Sequence, residues 1–165
     1  NSPRVMICET NSSWSGIFEN RGRLDADLHN LAALLSTTFI HVSCVMDTLN
    51  AKDNSGKMGM VGFCMGEGDQ DLRSLSVVNE FGTWEFSEFG ARQQFEQTDK
   101  YDAPNPADRF TKSMLNDYCQ HFGLSPFDEG FYGPHFSVVK NYGDWYPPDE
   151  GPIRFVLAHP RGLIS

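Results

Sequence analysis

LRSLSVVNEFGTWEFSE, residues 72–88, decides the fold. Two strand-like runs, 72–79 and 84–88, stand on either side of Phe81-Gly82, an arrangement that predicts a β-hairpin. In the second run Trp84 and Phe86 point one way and Glu85 and Ser87 the other. That alternation belongs to a sheet with one dry face and one wet face.

Working upstream, residues 58–65 read as a Gly-interrupted strand closed by Gly66-Glu67-Gly68, and 50–57 as a loop carrying the turn signal Asn-Ser-Gly. Residues 37–46 are rich in β-branched side chains. Ile40, Val42, Cys44 and Met46 share one face and Phe39 and Val45 the other, as expected of a central strand. Leu24, Leu28, Leu31 and Leu35 recur at helical spacing, with Asp25 and Asp27 near the positive end of the dipole. Residues 4–9 read as a short opening strand that breaks at the polar run 10–16.

Downstream, 93–107 holds two prolines and no usable period, so it reads as a long connection. Thr111 caps a second helix that runs to about Phe122, with Met114, Leu115, Tyr118 and Phe122 as its buried stripe and Gly123 as its stop. The tail is extended over 136–142 and 153–158, with a turn at Tyr146-Pro147-Pro148-Asp149. The order is β-α-β-β-β-β-α-β-β. The expected fold is α+β: a single domain over 1–165, with a largely antiparallel sheet of about six or seven strands and two main helices.

Composition supports a folded domain. Hydrophobic residues are only 39%, but 13 Phe supply much buried area per residue. No apolar run approaches the roughly 20 residues that span a bilayer, and no basic start is followed by a hydrophobic run. Cys8, Cys44, Cys64 and Cys119 are scattered, with no zinc or redox spacing, and three sit in apolar runs. Free thiols and a reducing, cytoplasmic compartment are the expectation.

The net charge is −9, and its distribution is uneven. Residues 66–108 hold ten carboxylates against three cations, which accounts for seven of the nine excess negative charges. Such a field repels nucleic acid and anionic lipid and speeds encounter with a basic partner.

No motif of a known chemistry accompanies that charge. The glycines at 56, 59, 62, 66 and 68 do not make a phosphate loop: Gly56-Lys57 is followed by Met58, and the flanking residues are acidic. Glu67, Asp69 and Asp71 alternate, but a calcium loop counted from Asp69 puts Ser74 at the sixth position, where Gly is needed. A solvated acidic turn is the simpler reading.

The histidines form no ligand set. His29 and His121 follow Asp25 and Asp117 by four, the spacing of helix surface pairs, although Asp117–His121 has the form of an acid/base dyad. His41 lies in a strand, and His135 and His159 flank prolines. The most binding-like stretch is NYGDWYPPDE at 141–150, where Trp145 and Tyr146 sit in a proline-stiffened acidic loop; Trp14 is a weaker case.

These features point to a non-enzymatic acidic interaction protein, of inhibitor or immunity type, that binds a basic protein partner such as a toxin or nuclease. Its candidate binding residues are Glu67, Asp69, Asp71, Glu85, Glu88, Trp145, Tyr146 and Trp14. No catalytic residue, metal or cofactor is expected, and neither nucleic acid nor membrane is an expected partner. The alternative is a small hydrolase or carbohydrate-binding domain built on loop carboxylates and exposed aromatics.

Overall fold

The computed structural model describes residues 4–19, 37–45, 58–80, 82–140 and 154–159. Eight strands run in the order β1 (Arg4–Thr10), β2 (Ser15–Glu19), β3 (Thr38–Val45), β4 (Met58–Glu67), β5 (Gln70–Glu80), β6 (Thr83–Gly90), β7 (Tyr132–Lys140) and β8 (Arg154–His159). One α-helix, α1 (Lys112–His121), stands between β6 and β7 among the described residues.

Across the sheet the order is β6-β5-β4-β3-β8-β2-β1-β7, and every neighbouring pair is antiparallel. A four-stranded leaf, β6 to β3, and a three-stranded leaf, β2-β1-β7, are joined through β8. The late strand thus closes the gap between two early ones.

The expected six- or seven-stranded sheet with two main helices is therefore corrected. Strand dominates, eight strands are formed, and α1 is the α-helix of the described residues. The helix expected over Leu24, Leu28, Leu31 and Leu35 lies outside them. The strand that sequence reading missed is β2. Its Ser15 and Gly16 carry no period, and pairing with β1 on one side and β8 on the other is what makes it a strand.

The hairpin at the centre of the sequence reading is formed: β5 and β6 pair from Glu80↔Thr83 to Arg73↔Gly90. Register then decides what is buried. Val42, Phe63, Leu75 and Glu88 line up across four strands, as do Cys44, Val61, Val77 and Phe86, and Ile40, Met65, Arg73 and Gly90. The apolar members of these rows form the core, with Ile40 and Val42 fully buried as their shared face requires.

α1 covers this face with Met114, Leu115, Tyr118 and Cys119, helped by Tyr101, Phe110, Leu124 and Phe131. Phe63 is the centre of contact, with the rings of Phe95 and Tyr118 edge-on to it and that of Phe122 stacked. Trp84 and Phe86 pack at the border of the core.

Both ends of α1 follow from sequence. The Thr111 hydroxyl accepts the Met114 N–H at 3.3 Å, which satisfies one of the donors a helix start leaves open. At the other end Gly123 takes φ +71°, and the amides of Gly123 and Leu124 donate to Gln120 and Cys119. This is the Schellman pattern, which needs a left-handed residue where a Cβ is unfavourable.

Cys8, Cys44, Cys64 and Cys119 are all free thiols, and burial pushes Cys119 up to about 12. No helix among the described residues is long and apolar enough to cross a membrane.

Two outcomes follow from this packing. Leu115→Ala should destabilise by about 2–5 kcal/mol, the cost of a cavity in a close-packed core. Gly123→Ala, with open space around its Cβ, should lose only the backbone cost of about 1–2 kcal/mol. Urea unfolding measures both. Separately, thiol titration of the unfolded, unreduced protein should count four groups.

Candidate functional site

Strand alternation carries Arg73 into the core row between Met65 and Gly90, where its side chain is fully buried. A buried guanidinium is tolerated only with its charge paired and its five N–H groups satisfied. Here all five are. Nε and Nη2 donate to the two oxygens of Glu96 at 2.8 and 2.7 Å. Nη2 also donates to Glu88 Oε2 at 2.8 Å, and Nη1 donates to the carbonyls of Phe89 and Gly90 at 3.0 and 3.1 Å.

Glu96, with its side chain equally buried, is filled from the other side. Its Oε1 also accepts the Gln93 N–H at 2.8 Å, and its Oε2 accepts the Tyr101 hydroxyl at 2.7 Å. Tyr101 spends its only proton on Glu96, so Tyr118 donates to Tyr101 across 2.9 Å and in turn accepts the Gln97 N–H at 2.7 Å. Every hydrogen bond in this relay has a fixed direction.

Glu88 links the buried network to solvent. It also accepts from the half-exposed Arg92 at 2.7 Å, and the Arg92 guanidinium lies 5.4 Å over the Tyr101 ring. Two cations and two carboxylates cancel.

The titration behaviour follows from these bonds. The hydrogen bond from Arg92, with Arg73 behind it, outweighs burial and draws Glu88 down to about 2. Burial pushes Glu96 up, but Arg73, the Gln93 amide and the Tyr101 hydroxyl together hold it below the ordinary carboxylate range. Burial lowers Arg73, but its bonds to Glu96 and Glu88 overcome that and raise it. Tyr101 is raised by burial and by the donation of its proton to the Glu96 carboxylate.

All five donors of Arg73 and both oxygens of Glu96 are committed within the protein. The cluster is a brace that ties the end of β6 and the connection after it to the core.

The brace changes how the acidic segment is read. Glu88 and Glu96 belong to it and are not available to a partner. Glu67, Asp69 and Asp71 remain exposed and gather at the β4–β5 turn, where Gly68 takes a positive φ. Glu85 is exposed on β6, on the face it shares with Ser87 and Phe89.

A β-bulge between Met65 and Gly66 makes Leu72 the extra residue of β5, and Leu72 is 43% exposed. Phe89, opposite Ser74, is 60% exposed. Gly90, at φ +82°, lies against the Leu72 carbonyl where a Cβ would collide, so the two apolar positions meet at one corner. This corner, three carboxylates beside two exposed apolar side chains at the sheet edge, is the candidate site.

The other candidates divide. Trp14 is buried and its indole N–H donates to the Phe122 carbonyl at 3.1 Å, so it plugs the core and is not offered to a partner. Trp145 and Tyr146 lie outside the described residues. The Asp117–His121 dyad does not form: Asp117 accepts from Gln97 at 3.0 Å, and the His121 ring stacks on Phe95 with centroids 4.6 Å apart. On the face of the sheet away from α1 His41 stands opposite Cys64; the His41 Nε2 lies 3.3 Å from the Ser43 hydroxyl and the Cys64 thiol donates to Asp71 at 3.2 Å. No three His, Cys, Asp or Glu among the described residues are arranged to hold a metal ion.

Sequence reasoning missed Arg73, Leu72 and Phe89. For Arg73 the signal was present, an arginine in phase with Leu75 and Val77. The exposure of Leu72 depends on a bulge that no local pattern marks. No family model, no curated protein and no solved structure matches the chain.

The brace makes a signed prediction. Glu88 and Glu96 hold protons more weakly folded than unfolded, so their stabilisation is complete above about pH 4.5 and drains as pH falls toward 2. Thermal melts across that window should show the loss, and Glu96→Gln should flatten it. At neutral pH Glu96→Gln should cost about 3–5 kcal/mol, because it strands a buried cation. The pair Arg73→Met with Glu96→Leu should cost less than either single change.

Proposed function

We propose that this chain is a non-enzymatic interaction protein, of inhibitor or immunity type, which docks a basic protein through the corner formed by the β4–β5 turn and the end of β6. The observation that carries this reading is the exposure of Phe89 and Leu72 beside Glu67, Asp69 and Asp71. Carboxylates alone are a common solubility feature. Carboxylates around an exposed aromatic at a sheet edge have the composition of a docking patch, with an apolar centre and a charged rim.

Charge complementarity fixes the partner's chemistry. A chain with net charge −9 attracts a lysine- or arginine-rich surface and repels nucleic acid and anionic membrane. The unbridged cysteines fit a reducing compartment such as the cytoplasm. Glu88 is left out of the docking set because Arg73 and Arg92 occupy it. The hydrolase or sugar-binding alternative draws on Trp145 and Tyr146, outside the described residues, and gains no support from the closed Arg73–Glu96 brace.

The test is surface-immobilised binding of a basic protein captured from the source cells, at two ionic strengths. Glu67→Lys with Asp69→Lys should slow association, more at low salt than at high, since the attraction is screened over about 8 Å at physiological salt. Phe89→Ser should act on dissociation instead. An association rate indifferent to the charge reversal would reduce the acidic turn to a solubility device and remove the basis of the proposal.

A further inference from the structure

The edge opposite β6 has a different character. Among the described residues β7 pairs on one side only, with β1, and ends the sheet there. Phe136 is 64% exposed and Val138 is 47% exposed. Two residues apart on a strand, they share a face, in register with Cys8 and Met6. Ile7 of β1, opposite Ser137, is also exposed. A nine-residue edge strand with exposed apolar side chains is a template for pairing with another strand.

We infer that β7 is where two copies of this chain join, strand against strand, antiparallel about Ser137. Charge selects the occupant. Most of the surface of a chain with net charge −9 repels a second copy of itself. β7 contains no carboxylate; its titratable residues are Tyr132, His135 and Lys140. The His135 Nδ1 lies 3.2 Å from the carboxylate of Glu9 on β1. β7 itself therefore adds no carboxylate repulsion to such a pairing. β6, the other edge, carries the exposed Glu85, which disfavours self-pairing there.

Geometry selects the register. A twofold axis through Ser137 sets Phe136 of each copy against Val138 of the other, an aromatic against a β-branched residue, a favourable cross-strand pair. The same axis sets Pro134 against Lys140. Proline cannot donate to a ladder and lysine blunts an edge, so the two bound the match to residues 135–139. An isologous contact of this kind closes on itself and yields a dimer, not an open stack.

Analytical ultracentrifugation of the full chain over a wide concentration range tests this. The mass should move from 18.6 kDa toward twice that value as concentration rises. Phe136→Glu, a change at an exposed position, should hold the protein at the lower mass at every concentration, while the charge reversal at Glu67 and Asp69 should leave dimerisation intact.

Ser137→Cys supplies a readout that does not depend on Phe136→Glu folding. Across the axis its Cα atoms would lie about 4.5–5.5 Å apart, within disulfide range. Mild oxidation should therefore give a covalent dimer that neither the unsubstituted chain nor His135→Cys gives. A wild-type chain that stays at 18.6 kDa throughout, a Phe136→Glu variant that dimerises equally well, or cross-linking at 135 but not at 137 would each overturn the inference.

Discussion

The structure turns on one buried ion pair, Arg73 with Glu96. Each side chain is fully buried, and each would be intolerable without the other. Removing two charges from water costs so much that a pair of this kind adds little net stability. What it contributes is specification. The guanidinium reaches the backbone of Phe89 and Gly90 at the end of β6, and the carboxylate reaches the Gln93 amide and Tyr101 beyond it. An apolar pair of the same volume would fill the space but leave those backbone groups without partners. The path of the chain from β6 into the core is therefore dictated by hydrogen-bond directions as well as by packing.

That constraint also shapes the electrostatics. Fixing Glu88 and Glu96 on cations removes two of the ten carboxylates of residues 66–108 from the field a partner senses. Of the eight that remain, Glu67, Asp69 and Asp71 lie at the β4–β5 turn, Glu80 ends β5, Glu85 lies on β6, and Asp99, Asp102 and Asp108 lie in the connection to α1. Gly90, at a positive φ, offers its carbonyl to Arg73, while strand alternation turns the neighbouring Phe89 outward with Glu85 and Ser87. The brace and the exposed corner thus meet at the end of β6. The corner is held firmly because what lies under it is rigid.

The sequence made the local elements legible and hid the long-range ones. The β5–β6 hairpin, the central face of Ile40 and Val42, the Thr111 cap and the Gly123 stop were all readable, because each depends on residues close in sequence. β2 was not, since Ser15 and Gly16 carry no strand signal and their conformation is imposed by β1 and β8. Trp14 looked like an exposed aromatic among small polar residues, but its indole finds a carbonyl 108 residues away, beyond the reach of any local pattern. The acidic segment was legible as composition only. Sequence could count its carboxylates but could not divide them between brace and surface. Yet Arg73 announced that division, because an arginine in the phase of Leu75 and Val77 has to bury carboxylates with it.

Among the described residues the eight-stranded sheet has two edges, and an open edge is a template for pairing with another chain. Here they are managed by opposite means. β6 is guarded by charge: Glu85 faces out, and the acidic turn repels any like-charged chain that approaches. β7 has no carboxylate and is limited instead by covalent structure, with Pro134 near one end and Lys140 at the other. An edge guarded by negative charge admits only a positively charged visitor, whereas an edge limited by length admits a strand of matching length, and the strand most readily available is its own copy. The two devices do not compete. Reversing charge at β6 leaves the β7 match untouched, and pairing through β7 leaves both acidic corners exposed at the far ends of the joined sheet.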